Sequence, residues 1–348
     1  MTMVKRQADW WLGLLAVMMV IVPTASQAQT SERLMLDPWE PGQRVSGDSN
    51  ALVFGGGTFR ADQSNVRIDE GETEARVRLM DTLDIDPSVG VDVGNDIWAN
   101  IADTYDMNPS VGLDWQWMNV RDPDHLVPGQ LNNLSFAVGS PIAQSGPWFS
   151  TMTLGGGYAG DSAFSDDRAW YGKGSLEIGR RYSTDTYLLF LVDYNGSRTI
   201  VPDIPLPAVE LRGPLGSTFK YVLGLPESSI RWEPTSKFSV EMTYDLPSTF
   251  EARTNYNVNK YLAIYAGYNR IEQAFADNQL PADRRLFFIE QRAEAGVRFD
   301  PFTNMSIDLG GGYGFGQRFA TGFDDQNLTN VTTVTDRPYV RAAVTISF

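Results

Sequence analysis

The feature that most limits how this chain can fold is a series of long runs in which apolar and polar residues alternate. In residues 237–245, KFSVEMTYD, every second side chain is apolar and each one between is charged or carries a hydroxyl. The same pattern recurs in residues 249–258, 285–300 and 303–318. Successive side chains of a strand point to opposite faces, so each run predicts a β-strand with one apolar and one polar face. These runs predict an all-β protein.

Turn-forming residues separate these runs and divide the chain from Trp148 onward into about ten strands. The predicted strands are 148–158, 168–182, 185–199, 218–233, 237–246, 249–258, 260–271, 285–299, 303–318 and 336–348. Residues 218–233 are interpreted as one strand bent at Pro226, and residues 200–217 as a loop. Further strands in GETEARVRLM, in LNNLSFAVGS and in two segments that share PSVG bring the total to 12–14. We expect about 12 strands, within a range of roughly 10–14.

Short and long links alternate between the predicted strands. The short links YSTD, EPTSK, NVNK and DPFTN all fall on one side, which is also the side where the chain ends. The links on the opposite side are longer, at residues 159–167, 200–217, 272–284 and 319–335, with DLPST as the short exception. Outer-membrane barrels have short periplasmic turns and longer outer loops. The sequence therefore predicts a transmembrane, antiparallel outer-membrane β-barrel of a bacterial cell.

A secreted β-sandwich is the alternative, because its strands also alternate between an inner and an outer face. Three features favour the barrel. The predicted strands often reach about 10–15 residues, whereas typical strands have about five or six. Aromatic residues such as Trp170 and Tyr182 occur at both ends of an apolar face, where a barrel meets the two membrane interfaces. The last alternating run also stops at the final residue, Phe348.

The first 28 residues have the pattern of a secretory signal peptide. Lys5 and Arg6 precede an apolar run, WWLGLLAVMMVIV, that is too short to span a bilayer as a helix. Small residues at Ser26 and Ala28 then predict cleavage after Ala28. An uncleaved membrane anchor is the alternative. The predicted organisation is a signal peptide at 1–28, an irregular periplasmic lead-in at 29–50 and the β-barrel at 51–348.

Charge and cysteine content exclude several partners and cofactors. The formal net charge is −15, and loss of the leader with Lys5, Arg6 and Asp9 brings it to −16. So acidic a chain is not expected to bind nucleic acid. The sequence has no cysteine, which excludes disulfides and cysteine-bound metals. No cofactor and no metal site are predicted.

The last residues, RAAVTISF, resemble the C-terminal insertion signal of outer-membrane proteins, with polar Arg341, apolar Ile346 and terminal Phe348. Ala343 stands where a glycine is usual in that signal. The segments YAGDSAFSDDRAWYGKG, GLPESSIRWEPTSKFSVEM and GGGYGFGQRF resemble an uncharacterised outer-membrane β-barrel family, a domain-of-unknown-function family, over residues 148–348. The resemblance implies contact with membrane lipid and lipopolysaccharide, and recognition of the last strand by the outer-membrane assembly machinery. It supplies no catalytic or binding residues.

The polar faces of the predicted strands carry charges of both signs, and these residues form the candidate site. The candidates for the lumen are Glu241, Glu251, Arg253, Glu290, Arg292, Glu294, Arg298 and Asp308. Such charges either line a water-filled pore or pair across the strands of a closed barrel. The leading hypothesis is a porin-like channel for small solutes. The alternative is a structural or surface-binding barrel with a closed lumen.

Other motifs give no support for catalysis, and no enzyme is predicted. His125, the single histidine, lies in a proline-containing loop, whereas a barrel hydrolase needs a histidine beside its nucleophile. The acidic clusters at 165–167 and 323–327 are interpreted as turn residues, with calcium binding as the alternative. GGGY occurs at 155–158 and 310–313 and is interpreted as glycine that relieves strand curvature.

Overall fold

Sixteen strands dominate the part of the chain that the structure describes. The structure is a computed structural model. It describes residues 44–45, 52–53, 62–68, 72–82, 110–120, 127–183, 186–225, 227–245, 249–302 and 305–346. We number the strands β1 (Asp62–Ile68), β2 (Glu72–Thr82), β3 (Ser110–Val120), β4 (Gln130–Ser145), β5 (Trp148–Gly160), β6 (Trp170–Arg181), β7 (Tyr187–Asn195), β8 (Leu206–Pro214), β9 (Phe219–Leu225), β10 (Glu227–Thr235), β11 (Phe238–Asp245), β12 (Thr249–Asn259), β13 (Leu262–Phe275), β14 (Arg285–Phe302), β15 (Met305–Gly322) and β16 (Arg337–Ile346).

These strands form a closed, antiparallel ring in which each strand pairs with its neighbours along the chain. The ring closes where β16 pairs with β1, so that Val340 lies opposite Ile68 and Ile346 opposite Asp62. Every strand of the described ring therefore has a partner on both sides within the ring. Such closure satisfies the backbone hydrogen-bonding groups without help from water.

The predicted number of about 12 strands was wrong, because the ring has sixteen. Leu206–Pro214, predicted as part of a loop, forms β8, and its prolines hid it because proline is rare inside strands. The predicted single strand 218–233 is two strands, β9 and β10, which pair with each other. Each of these errors omits one strand. Because two strands are omitted, the later links still lie at the ends of the ring where they were predicted. The polar sequence of β1, DQSNVRI, also hid a strand.

Side-chain exposure along the strands is the reverse of that in a water-soluble protein. Outward side chains such as Leu154, Ile178 and Leu309 are apolar and exposed. Inward side chains such as Glu177 and Asp308 are charged and buried. Water-soluble proteins instead bury apolar side chains and leave carboxylates in solvent. An apolar outside and a polar inside suit a ring that is surrounded by hydrocarbon.

An arginine on the outward face of β11 is expected to destabilise the barrel in lipid. Val240→Arg places a charge in the hydrocarbon and should lower the free energy of unfolding by about 2–4 kcal/mol. The matched control is Thr243→Arg on the inward face of the same strand, directly opposite Glu251, and it should cost much less. Unfolding titrations in lipid vesicles measure both variants. Equal losses would show that the two faces of β11 are wrongly assigned.

The two ends of the ring differ in their links. The terminal end holds Ile346 and is closed by tight turns, which include residues 215–218, 236–237 and 260–261. The opposite end, the loop end, carries the longer links 161–169, 196–205, 276–284 and 323–336. The links after β1, β9 and β11 are short exceptions at the loop end. Residues 83–109, which join β2 to β3 at the terminal end, lie outside the described residues.

Several predicted features also lie outside the described residues. These are the signal peptide 1–28 with its cleavage site at Ala28, the first PSVG segment, His125 and Phe348. Of the predicted lead-in at 29–50, only Arg44–Val45 is described, and it pairs with Leu52–Val53. Within the described part of the chain, no helix is long and apolar enough to cross a membrane.

Candidate functional site: the barrel lumen

The structure places the predicted charged residues on the inner face of the ring. Those on β14 lie at alternate positions, and residues that pair across neighbouring strands share a face. Arg298 of β14 pairs with Asp308 of β15, and Glu241 of β11 pairs with Arg253 of β12. The inward set is Glu241, Glu251, Arg253, Glu290, Arg292, Glu294, Arg298 and Asp308.

Asp308 is the centre of one group of these charges. Its carboxylate accepts a hydrogen bond from Nη2 of Arg253 at 3.2 Å and one from Nε of Arg298 at 3.2 Å. Only 3% of Asp308 is exposed, so little water reaches it. The two arginines come from different strands and converge on one buried carboxylate. This pairing offsets the cost of taking the charges out of water.

Glu294 is the centre of a second group. Arg341 donates to both of its oxygens, from Nε to Oε2 at 2.9 Å and from Nη2 to Oε1 at 2.7 Å. The hydroxyl of Tyr265 donates to Oε1 at 2.9 Å and that of Tyr339 to Oε2 at 3.0 Å. The guanidinium of Arg253 lies 4.0 Å from the ring centroid of Tyr265, which joins the two groups. Neither tyrosine was predicted to face the lumen, because aromatic residues in a barrel strand resemble a lipid-facing girdle.

Glycines of β15 leave room for these inward tyrosines. A Cβ atom at Gly310 would lie 2.4 Å from the hydroxyl of Tyr265. A Cβ atom at Gly312 would lie 2.7 Å from the ring of Tyr339. Both distances are shorter than side chains tolerate. The second GGGY segment therefore permits close packing across strands, whereas the sequence predicted only relief of curvature.

Glu290 lies at a β-bulge and is fully buried, with 0% of its surface exposed. It pairs with Arg292 of its own strand and accepts a hydrogen bond from Nε2 of Gln317 at 2.6 Å. The register between β14 and β15 shifts at this point, and Gly316 adopts a φ of +62°. A bulge bends the strand that carries it and increases the local twist. The sheet formed by β14 and β15 therefore bends at this bulge.

Two further sets of inward ion pairs include residues that were not predicted to face the lumen. Within β8, Nη2 of Arg212 lies 2.7 Å from Oε2 of Glu210. Arg231 of β10 lies 3.1 Å from Glu233 and 3.3 Å from Glu241. Glu210 and Arg212 were missed because their strand was predicted as a loop. These pairs show that the described inner charges neutralise one another to a large extent.

A four-stranded extension, the flap, continues beyond the ring at its loop end. It consists of residues 271–275 of β13, 285–290 of β14, 317–322 of β15 and the short strand Thr329–Thr333. Its strands pair with one another. The pairing of β12 with β13 ends at Arg270, and the pairing of β15 with β16 ends at Gly314. Neither edge of the flap is therefore continued by the neighbouring ring strand.

The flap folds inward across the mouth of the ring. The N–H of Ala276, just after β13, donates to the carbonyl of Ala159 on β5 at 2.9 Å, and the carbonyl of Ala276 accepts from the N–H of Asp161 at 3.1 Å. Deeper in the lumen, Nε2 of Gln273 donates to Oε1 of Gln116 on β3 at 2.8 Å. Strands β5 and β13 lie on opposite sides of the ring. These contacts therefore span the lumen.

An apolar cluster seals the flap against the opposite wall. The cluster joins Phe275, Leu286, Phe288 and Phe319 of the flap to Met118, Val120, Val127, Leu131 and Ala159. In the flap segments of β13, β14 and β15, burial is nearly continuous because both faces are covered, whereas the short strand Thr329–Thr333 is mostly exposed. The second face lies beside the link 196–205, where Thr199 accepts a hydrogen bond from the N–H of Asp325 at 3.1 Å.

Polar contacts at the rim hold the link 276–284 to the opposite side. Arg168 donates to the carbonyl of Asp277 at 2.9 Å and to that of Leu280 at 3.0 Å. The side-chain amide of Asn278 donates to Asp161 at 3.4 Å. Burial, together with the charge of nearby Asp277, raises the pKa of Asp161 above its usual value. Closure therefore brings two carboxylates together and adds Arg168 as a compensating cation.

The predicted acidic clusters have structural roles as caps of short turns. Asp166 accepts a hydrogen bond from the N–H of Arg168 at 2.9 Å and pairs with its guanidinium at 3.1 Å. Burial opposes ionisation of Asp166, but the bonds from Arg168 outweigh it and lower its pKa. Asp324 likewise accepts from the N–H of Gln326 at 3.2 Å. Among the residues described, no three potential metal ligands come together.

Comparisons with known proteins find likeness to outer-membrane proteins among solved structures. No family model matches the chain and no curated protein matches it, so the family resemblance seen in the sequence stays a prediction. Omp33 of Acinetobacter baumannii is similar at 8% identity and a TM-score of 0.36, covering 84% of this chain and 98% of that one. The NanC porin is similar at 7% identity and 0.32, covering 83% and 100%. OmpT of Vibrio cholerae is similar at 12% identity and 0.28, covering 83% and 96%.

Proposed function

We propose that this protein is an outer-membrane channel for small hydrophilic solutes, closed at its outer mouth in the state described. Its outward apolar side chains form the surface in contact with lipid. In this proposal the loop end faces the cell exterior and lipopolysaccharide, and the terminal end faces the periplasm. The signal peptide at 1–28 directs export, and the last strand is the part that the assembly machinery recognises.

The observation that carries this proposal is a sixteen-stranded ring lined with charge. Barrels of about eight strands are filled by their own side chains, whereas barrels of 16–18 strands leave an aqueous channel. A buried ion pair is rarely more stabilising than apolar residues of the same volume. Pairs such as Arg298–Asp308 and Arg341–Glu294 would therefore stabilise a permanent core no better than apolar residues. They suit a lumen that admits water and polar solutes when the mouth opens.

A permanently closed barrel is the second candidate, and the sealed mouth favours it. The described inner charges are largely paired, and the apolar cluster excludes water between the flap and the opposite wall. A protein of this kind acts through its outer links, as a structural or surface-binding barrel. Neither candidate assigns a catalytic role to any residue.

Conductance in planar lipid bilayers separates the two candidates. We expect the refolded barrel to conduct weakly, and Phe288→Ser, which weakens the apolar cluster, to conduct more strongly. Heat-modifiable mobility in gels verifies that each variant is folded. If both folded proteins fail to conduct at any voltage and give no liposome swelling with small sugars, the channel is excluded and the closed barrel remains.

Neutralising two inward carboxylates is expected to shift ion selectivity towards anions. With a mature charge of −16, the open lumen should mildly prefer cations. Glu290→Gln and Glu294→Gln remove negative charge beside Arg292 and Arg341 and leave the lumen more positive. The reversal potential in a salt gradient, recorded in the Phe288→Ser background, measures the shift.

The control for this shift is Asp283→Asn, which neutralises an exposed carboxylate in the link 276–284 outside the lumen. It should leave the reversal potential almost unchanged. An equal shift in both variants would indicate a general surface-charge effect. No shift with the glutamate substitutions would show that ions do not pass along the wall formed by β14.

A further inference from the structure

We infer that the flap is the gate of the proposed channel: it swings about the bulge at Glu290 and Gly316 and is latched to the opposite rim by Ala276 and Arg168. The inference rests on the proposed function, because it describes how the same lumen is opened and closed. No sequence motif predicts this arrangement of the flap.

The flap is connected to the ring in a way that permits it to move as one body. Its four strands are bonded to one another, but its outer edges leave the ring at Arg270 and Gly314. The bulge lies just beyond Gly314, at the position where the sheet turns inward. Gly316 has a positive φ there, a conformation that costs glycine little, and its N–H is held by Asp336 at 2.8 Å. Bending at this point leaves the pairing of the ring intact.

The contacts that hold the flap closed are local and separable from those of the ring. Ring strands pair along their lengths, whereas the flap meets β5 through the backbone of a single residue, Ala276. Arg168 adds two bonds to carbonyl groups, and Gln273 adds one bond to Gln116. Asn278 also donates to Asp161, and the N–H of Asp325 donates to Thr199. The apolar cluster adds contacts that have no directional bonds to break. Release of the latch therefore disrupts no strand pair of the ring.

The second face of the flap is packed loosely against a strained link. Between this face and the links 161–169 and 196–205 lies a cavity of about 160 Å³, lined in part by Ala274, Arg285 and Pro202. In the link 196–205, Val201 has a φ of +45° and Asp203 a φ of +62°. A positive φ is strained for a β-branched residue and persists only while its surroundings hold it. The cavity and the strained backbone of the link 196–205 both favour movement of the flap on this side.

Charge at the rim also opposes full closure. Asp161 and Asp277 are brought together when the flap closes, and their repulsion contributes to the raised pKa of Asp161. Arg168 lies near both and is the cation that compensates them. The latch is therefore a balance of opposing interactions, as expected of a contact that opens and closes.

Reversible cross-linking of the flap to the opposite wall tests the gate. The chain has no cysteine, so Gln116→Cys with Gln273→Cys, in the Phe288→Ser background, introduces the only two thiols. A short bis-methanethiosulfonate reagent then replaces the amide contact across the lumen. We expect conductance to be lost on cross-linking and to return when a reductant cleaves the bridge.

The matched control places the same bridge inside the fixed wall. Thr153 of β5 and Ser175 of β6 face inward and lie directly opposite each other. Thr153→Cys with Ser175→Cys, treated identically, should conduct equally before and after reduction. The single variants Gln116→Cys and Gln273→Cys control for the effect of the reagent alone.

The outcomes distinguish the gate from the channel. Conductance that is lost and regained only in the flap pair supports the gate. Conductance that persists unchanged with the flap cross-linked overturns the gate and leaves the channel standing. If no folded variant conducts, the proposed function fails and the gate fails with it. Arg168→Ala provides a second test, since it removes two latch bonds and should raise the open fraction; an unchanged open fraction also counts against the latch.

Discussion

Replacement of Asp308 by alanine is expected to lower the free energy of unfolding by about 3–5 kcal/mol, because it leaves two partly buried arginines without their counter-ion. Asp308 is almost fully buried and lies 3.2 Å from both Arg253 and Arg298. Removal of one partner of a buried ion pair costs more than removal of the whole group. Denaturant titration of the barrel in lipid vesicles measures the loss.

An exposed carboxylate serves as the control for this stability measurement. Asp283→Ala, in the link 276–284, should change the free energy of unfolding by no more than about 0.5 kcal/mol. The variant Asp308→Ala/Arg253→Met/Arg298→Met removes the whole charged group and should recover part of the loss. A loss below about 1 kcal/mol for Asp308→Ala alone would show that water already solvates these arginines. The lumen would then be more open than the buried carboxylate indicates.

Replacement of Phe348 by aspartate is expected to prevent assembly into the membrane almost completely. The alternating sequence run that ends in Ile346 and Phe348 resembles the insertion signal of outer-membrane proteins. In the structure, the same strand β16 closes the ring by pairing with both β15 and β1. Failure to position this strand therefore leaves two open edges. The amount of heat-modifiable protein in the outer-membrane fraction measures assembly.

The control for Phe348→Asp keeps the aromatic end of the chain. Phe348→Tyr should assemble at close to the normal level, because it retains a large ring at the last position. Normal outer-membrane levels of Phe348→Asp would contradict a role of this residue in assembly. Phe348 lies outside the described residues, so this prediction rests on the sequence and on the place of β16 in the ring.

The two candidate functions differ in what the flap does. In a closed barrel, the apolar cluster of Phe288 and Leu131 is a permanent core that fills one end of the lumen. In the proposed channel, the same cluster is a seal that separates when the flap moves. The cluster joins lumen-facing side chains of opposite walls. Solutes are therefore kept from the charged lining while the cluster is formed and reach it when the cluster separates.

The strand count shows where alternation predicted strands and where it did not. Alternation in runs such as KFSVEMTYD predicted both the strands and their faces, because one face of a barrel strand must contact lipid. Leu206–Pro214 obeys the same rule, with Val209 and Leu211 outward and Glu210 and Arg212 inward. Its prolines outweighed that pattern and suggested a loop. This strand was therefore missed because two local signals conflicted, and not because the alternating pattern was absent.

Alternation along each run predicted which face the candidate residues occupy. It did not predict the residues on other strands with which they form hydrogen bonds. The position of Glu294 at every second residue of its run predicts the face it occupies. Its hydrogen bonds to Tyr265, Tyr339 and Arg341 come from strands that lie on either side of β14 in the ring, and no spacing along the chain reports them. Whether these residues line a conducting path stays a prediction.

The sequence by itself determined that this chain is an all-β protein whose strands have one apolar and one charged face, because alternation is a local property of consecutive residues. Only the tertiary structure decided how many strands close the ring and that the flap crosses it. Ring size depends on how distant strands register, and the contact of Ala276 with Ala159 joins strands on opposite sides. Phe288 lies in a run that alternation predicts as a strand, whereas Phe275 lies in the predicted link 272–284 and belongs to β13 only in the structure. The bend at Gly316 then brings both side chains into the apolar cluster that closes the mouth.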